Sequence, residues 1–172
     1  MQKYFGQRIY LRELTIADAT QEYCNWLNDK EVNKYLETRK STLPELKKYI
    51  KEKLSKSDCL LMGVFDKKND LHIGNIKLEP IDWRSKKAVY GILIGNKNYW
   101  RQGIGEEATK LIIKCAFKKL GLSSIELGVI PQNENAVKLY KKLKFRVKKI
   151  EKKAINHQGV LYDQIIMTLK NN

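Results

Sequence analysis

One short segment has the residue types to hold an anion. Gly103-Ile104-Gly105 lies between an apolar, strand-like run and a long amphipathic run. Glycines let the backbone approach a ligand closely, and the first N–H groups of a helix point outward with the helix dipole behind them. A strand that ends in such a loop can therefore wrap a phosphate. The segment lacks the third glycine of a dinucleotide fingerprint and the Gly-Lys-Ser/Thr ending of a P-loop. It also follows antiparallel strands in mid-chain rather than the first strand of a βαβ unit. A tight strand-to-helix turn with no ligand is the competing reading. Glu106 and Glu107 suit a helix start but would weaken an anion site if they faced it, so they are expected to point away.

The other reactive side chains are scattered. His72 and His157 have no carboxylate pattern beside them and make no zinc site. His72 begins a strand, and His157 falls in an expected turn, Asn156-His157-Gln158-Gly159. The three cysteines, Cys24, Cys59 and Cys115, are odd in number and widely spaced. They form neither a disulfide framework nor a metal cluster, and a reduced cytoplasm is their natural setting. Cys115 falls on an apolar helix face and reads as core.

The elements that must position the glycine loop follow from hydrophobic period. Arg8 to Leu14 alternates as a first strand. Thr15 with Asp18 is expected to cap a helix carrying Ala17, Ala19, Tyr23 and Leu27, and Glu31 to Tyr35 a short helical piece. Thr42 or Ser41 caps the next helix, with Pro44 in its first turn and Leu46, Tyr49, Ile50 and Leu54 on its apolar face. Leu60–Phe65, His72–Ile81 and Lys87–Ile94 read as three antiparallel strands. After the loop a long helix buries Ala108, Leu111, Ile112, Cys115 and Ala116 and stops at Gly121. Ser124–Val129 is a strand, Asn133–Leu143 a helix, and Phe145–Ile155 with Gly159–Leu169 a closing hairpin. The order is that of a mixed α/β domain spanning residues 1–172, with a mainly antiparallel central sheet flanked by helices.

Composition narrows the partners. The 172 residues carry 34 Lys plus Arg against 19 Asp plus Glu, a net charge of +15 that attracts polyanions. The lysines are spread along the chain, with no basic tail, no Cys–His module and no paired aromatic platform of the RNA-binding type. Specific nucleic-acid recognition is not expected. No apolar run is long enough to span a bilayer, and none follows the N-terminal MQKYFGQR as a signal would, so no membrane partner is expected either.

Two separated motifs carry a family resemblance. Asn98-Tyr99-Trp100-Arg101-Gln102-Gly103-Ile104-Gly105-Glu106-Glu107-Ala108 resembles the pyrophosphate-binding segment of the GNAT acetyltransferase superfamily, in the branch similar to ribosomal-protein N-terminal acetyltransferases. Pro131-Gln132-Asn133-Glu134-Asn135-Ala136, continuing to Tyr140 and Phe145, resembles the second signature. Leu11-Arg12-Glu13-Leu14-Thr15 and Trp26-Leu27-Asn28-Asp29 match the same branch, so the likeness covers essentially the whole chain. Three departures stand out. Trp100 occupies a position where many members have Gln or Arg. Lys144 replaces a glycine and is expected in the left-handed region. Ala88-Val89-Tyr90-Gly91 lacks the glutamate often found on that strand.

The resemblance implies a GNAT fold with splayed central strands and transfer of an acetyl group from acetyl-CoA to a primary amine. The CoA pyrophosphate would lie on Arg101, Gln102, Gly103, Ile104 and Gly105, and the pantetheine arm along Ile92, Leu93 and Ile94. Asn133 would be an N-cap or also a carrier contact. Tyr140 would protonate the leaving thiolate, although its helix face alone reads as a packed aromatic. Candidate bases are Glu79, Asp82, Glu37 and Asp163, each equally readable as an exposed or paired carboxylate, and water could serve instead. Trp26, Tyr35, Glu37 and Arg39 would shape the acceptor site, with Arg39 able to take a phosphate or carboxylate. The acceptor is expected to be a protein N-terminal α-amine, with a small amine such as a free or nucleotide-linked amino sugar as the alternative. A non-catalytic CoA- or nucleic-acid-binding protein is the rival class, and a homodimer is left open.

Overall fold

A computed structural model describes residues 2–36, 40–157 and 159–171. Its strands are β1 (Lys3–Phe5), β2 (Ile9–Glu13), β3 (Leu60–Asp66), β4 (His72–Asp82), β5 (Lys87–Ile94), β6 (Ser124–Val129), β7 (Arg146–His157) and β8 (Val160–Lys170). They form one sheet in the order β1-β2-β3-β4-β5-β6-β8-β7, in which β5–β6 is the parallel pair. Helices α1 (Gln21–Asn28) and α2 (Leu43–Leu54) cover part of one face, called the front. Helices α3 (Ile104–Lys118) and α4 (Glu134–Lys142) cover the back.

Local chemistry explains the helix starts and corrects one expectation. Thr15 does pair with Asp18, whose carboxylate accepts from the Thr15 N–H at 2.7 Å, but this closes only a 3-10 turn over Ile16–Asp18. Arg12 forks onto the same carboxylate at 2.8 and 2.6 Å and holds it to the sheet. The helix proper begins at Gln21, where the Thr20 side chain accepts from the Tyr23 N–H. Residues 31–35 are turns rather than a helical piece. In α2 the expected cap is present: Thr42 and Glu45 form a reciprocal capping box, with Pro44 in the first turn. The helix α3 ends at Lys118, and Gly121, at φ +65°, reverses the chain just beyond it. Lys144 takes φ +70°, as expected from the glycine it replaces.

Two apolar clusters sandwich the sheet. The back cluster joins Ile9, Leu11, Ile76, Leu78, Ile112, Ile125 and Met167 under α3 and α4. The front cluster joins Tyr10, Leu14, Tyr23, Trp26, Leu46, Ile50 and Phe65 under α1 and α2. Trp26 lies so close to Gly95, just past β5, that any side chain there would run into the indole ring. Gly95→Val should therefore overpack this junction and cost roughly 1–3 kcal/mol. Urea unfolding would show it as a lower midpoint with little change in slope.

Candidate active site

The β5–β6 ladder is short. Lys87 pairs with Ser124, Ala88 with Ile125 and Val89 with Glu126, and no further pair follows. Beyond Val89, β5 stays with β4 as far as Gly74↔Ile94, while β6 stays with β8 through Val129↔Ile165. The facing edges of Gly91–Ile94 and Leu127–Val129 are thus left without each other. A strand pairs alternate backbone groups to each side, so these edges present N–H and C=O groups that need a partner. An extended polar chain inserted there would satisfy them like an added strand. Ile92, Leu93 and Ile94, the expected lining, are partly buried along this edge.

At the end of β5 the chain turns into α3. Trp100, the residue that departs from the family pattern, donates its indole N–H to the Ile94 carbonyl at 2.8 Å and fastens the loop to the strand. Gln102 donates to the Asn98 carbonyl at 2.5 Å. Arg101 and Gly103 both take positive φ, +59° and +77°, and Gly103 caps α3 without a side-chain hydrogen bond. The first internal bond of α3 runs from the Glu107 N–H to the Gly103 carbonyl at 3.1 Å. The N–H groups from Gly103 to Glu106 precede the repeating helix bonds and are aimed outward. Glu106 and Glu107 turn away as expected: Glu106 meets Lys110 at 2.8 Å and Lys142 at 2.6 Å, and Glu107 meets Arg8 at 3.0 Å.

Arg8 was not legible as a site residue. Its guanidinium donates to the Gln102 carbonyl at 2.6 Å, and its Nη2 lies 3.5 Å from where a Cβ on Gly103 would sit. A cation from the start of the chain thus stands beside the loop. Only the packing of α3 across β2 brings the two together.

Tyr140 lies on the back of the sheet where the strands part. Its ring meets Tyr90 edge-on, with centroids 6.1 Å apart, and tilts against Phe145 at 5.7 Å. Tyr90 is the first residue past the last β5–β6 pair, and its hydroxyl bonds Thr109 at 2.7 Å. Tyr140 is 7% exposed, and burial pushes its pKa up to about 12. Among the described residues no hydrogen bond to its hydroxyl is found, so a neutral phenol keeps its proton with no internal acceptor. Asn133 caps α4, its side chain accepting from the Ala136 N–H at 3.4 Å.

The expected acceptor-side residues fare differently. Trp26, expected to help shape the acceptor site, is buried at 5% exposure among Tyr23, His72 and Gly95. Tyr35 does reach the site region, donating its hydroxyl to the Gln132 carbonyl at 3.1 Å, just before α4. Glu37 and Arg39 lie outside the described residues. Glu79 is caged by Lys53 at 2.6 Å, Lys77 at 2.9 Å and Lys56 at 3.1 Å. Burial pushes its carboxyl up, but the lysines outweigh burial and hold it at about 2, so it is a poor proton acceptor and the expectation of a base there is corrected. Asp82 is tied to Ser85 and Asp163 to Lys152. His72 sits in an aromatic cage of Phe65, Tyr23 and Trp26, its Nε2 3.0 Å from the Gly74 carbonyl, and burial lowers its pKa.

Comparison with known proteins agrees with this fold. A family model described as an acetyltransferase (GNAT) domain matches residues 8–146. A Bacillus subtilis (strain 168) protein named Probable N-acetyltransferase YjcK is 25% identical over 173 residues, covering 96% of each chain. Spermidine N-acetyltransferase from Vibrio cholerae, solved with CoA and spermine, superposes with a TM-score of 0.88 at 21% identity over 95% of each chain. The microcin C7 self-immunity acetyltransferase MccE, solved with acetyl-CoA and AMP, does so with a TM-score of 0.84 at 19% identity, covering 96% of this chain and 94% of that one.

Two outcomes are expected. Gly103→Val puts a β-branched side chain at φ +77°, beside Arg8, and should weaken acetyl-CoA binding at least tenfold by calorimetry while the protein stays folded. The Glu79 carboxyl titrates lower in the folded chain than its ordinary value of 4.5, so its stabilisation is complete above that pH and fades as pH falls toward about 2. Glu79→Gln should accordingly lower the unfolding midpoint at pH 7, with the gap to wild type closing through that acid window.

Proposed function

This chain belongs to the GNAT acetyltransferase family, and we propose that it moves an acetyl group from acetyl-CoA to the α-amine at the N-terminus of a protein. Acetyl-CoA is the cosubstrate of this acyltransferase and brings an activated thioester. The chain holds it in three ways. The outward N–H groups of the Gln102–Gly105 loop, with Arg8 beside them and α3 behind, cradle the pyrophosphate. Asn133 adds a contact at the start of α4. The unmatched edge of Ile92, Leu93 and Ile94 pairs with the pantetheine amides, and a backbone N–H of the Gly91–Ile94 strand faces the oxygen on which charge develops.

Transfer is direct, within one ternary complex. The neutral amine attacks the thioester carbon from the front of the sheet, the C–S bond breaks, and Tyr140 supplies the proton to the leaving sulfur. A phenol with its pKa raised to about 12 keeps that proton throughout the neutral range. The proton released by the amine passes to water, because Glu79 is held as an anion by its three lysines.

The observation that carries the choice of acceptor is the openness of the front face over β5. Val89 is 42% exposed, and among the described residues nothing lies within 4 Å of where a Cβ on Gly91 would be. An open face suits the end of a polypeptide better than it suits a small amine, which gains most from enclosure. We read the chain from 1 to 172 as one catalytic domain built on the single sheet. Three free cysteines, and no helix among the described residues long and apolar enough to cross a membrane, fit a cytoplasmic enzyme.

Thiol release measured over N-terminal peptides and small amines, with mass spectrometry to locate the acetyl group, tests the acceptor. Modification of peptide α-amines is expected, and turnover of small amines alone would overturn that assignment. Tyr140→Phe keeps the ring but loses the proton and should lower kcat by roughly 10- to 1000-fold, about 1.4–4 kcal/mol, with acetyl-CoA affinity and melting temperature nearly unchanged. Wild-type kcat in this variant, with chemistry rate-limiting, would remove Tyr140 from the reaction.

A further inference from the structure

The lysines around Glu79 border the site. Lys77 on β4 lies directly opposite Gly91 on β5. Residues opposite one another in an antiparallel pair share a face of the sheet, so Lys77 projects on the side where the space over Gly91 is open. Its ammonium lies 2.9 Å from Glu79, and the same carboxylate receives Lys53 from the end of α2 and Lys56 just beyond it. One carboxylate therefore faces three ammonium groups. Asp58, the other acid whose field reaches Lys56, makes no ion pair with it, and counting it the cluster is still net positive. The side chains of Lys53, Lys77 and Glu79 are 16%, 34% and 10% exposed, so solvent and salt screen this charge less than that of free surface lysines. A single lysine would have neutralised Glu79. The excess cation lies on the same face of the sheet as the space over Gly91.

Resting on the reading of a protein N-terminus as acceptor, we infer that Lys77, backed by Lys53 and Lys56, selects N-termini with acidic residues next to the reacting amine. The acceptor amine must arrive neutral, so a positive field costs it little in the attacking form and helps to strip its proton. Asp or Glu at the second or third position of the acceptor meets the surplus ammonium charge. A lysine there, or a polyamine, meets repulsion.

The test uses the full chain and peptides that differ only at positions two and three, carrying Asp-Glu, Ala-Ala or Lys-Lys, together with spermidine and a phosphorylated amine beside its unphosphorylated parent. At low salt kcat/KM for the acidic peptide should exceed that for the neutral one at least tenfold, with the lysine peptide lowest and the preference shrinking toward 0.5 M salt. Lys77→Met should lose at least fivefold more on the acidic peptide than on the neutral one, and Lys77→Arg should restore the preference. If Lys77→Met does not fold, Lys56→Met, at the more exposed edge of the cage, should reduce the same ratio. Equal rates on the three peptides, a preference for the lysine peptide, or an equal loss on all peptides in Lys77→Met would overturn the inference while leaving the N-terminal reading in place. Turnover of no peptide, with the phosphorylated amine favoured over its parent, would overturn the N-terminal reading and uphold the charge selection.

Discussion

Everything in this molecule is arranged around an interrupted hydrogen-bond ladder. Parallel strands β5 and β6 hold each other for three residue pairs and then separate, each kept in place by its outer neighbour. An edge with unpaired N–H and C=O groups inside a sheet is costly unless something pairs with it. Here the two edges face each other across a slot, and α3 begins at the slot's end, so the groups that would pair an extended chain and those that would hold its terminal phosphates lie along one line. Tyr140 sits where the last backbone pair gives way, against Tyr90, and so places a neutral phenol at the inner end of that line.

Rigid packing on both sides keeps the interruption open. On the front, Trp26 lies over Gly95 and Trp100 bonds the Ile94 carbonyl, so two indoles hold the last turn of β5 where the loop departs. On the back, the Tyr90–Thr109 bond ties β5 to α3. Arg8 closes the arrangement from the far edge by joining the loop carbonyl of Gln102 and the Glu107 carboxylate with one guanidinium. A preorganised site needs such support, because donors that must first be collected lose much of their advantage over water.

Charge is distributed unevenly relative to this frame. Near the glycine loop Glu106 is paired with Lys110 of α3 and Lys142 of α4, and Glu107 with Arg8, so neither carboxylate stands uncompensated beside the loop. On the front, the partly buried Glu79 is outnumbered by lysines. Part of the net +15 is thus concentrated locally, around Glu79 and beside the glycine loop, rather than spread evenly over the surface.

Period and punctuation in the sequence determined most of the elements. The short apolar runs Leu60–Phe65 and Lys87–Ile94, the Thr42–Glu45 box with Pro44, and the glycines before α3 are local signals, and local sterics and hydrogen bonding decide them. The resemblance of the 98–108 and 131–145 segments determined the family, and with it the roles proposed for Gly103 and Tyr140. The short strand β1 and the start of α1 were not legible, because three residues carry no period and because Thr15 and Thr20 offer equally good caps five residues apart. Tertiary structure alone decided what the charged and aromatic side chains do. Glu79, readable from sequence as an exposed or a paired carboxylate, is caged by lysines from the end of α2 and from its own strand, Trp26, expected to shape the acceptor site, is core, and Arg8 gained its place from a helix that begins nearly a hundred residues later. The physical reason is range: a backbone preference acts over a turn or a strand, whereas a carboxylate's basicity or a guanidinium's partner is set by whatever the fold brings within a few ångströms, from any distance along the chain.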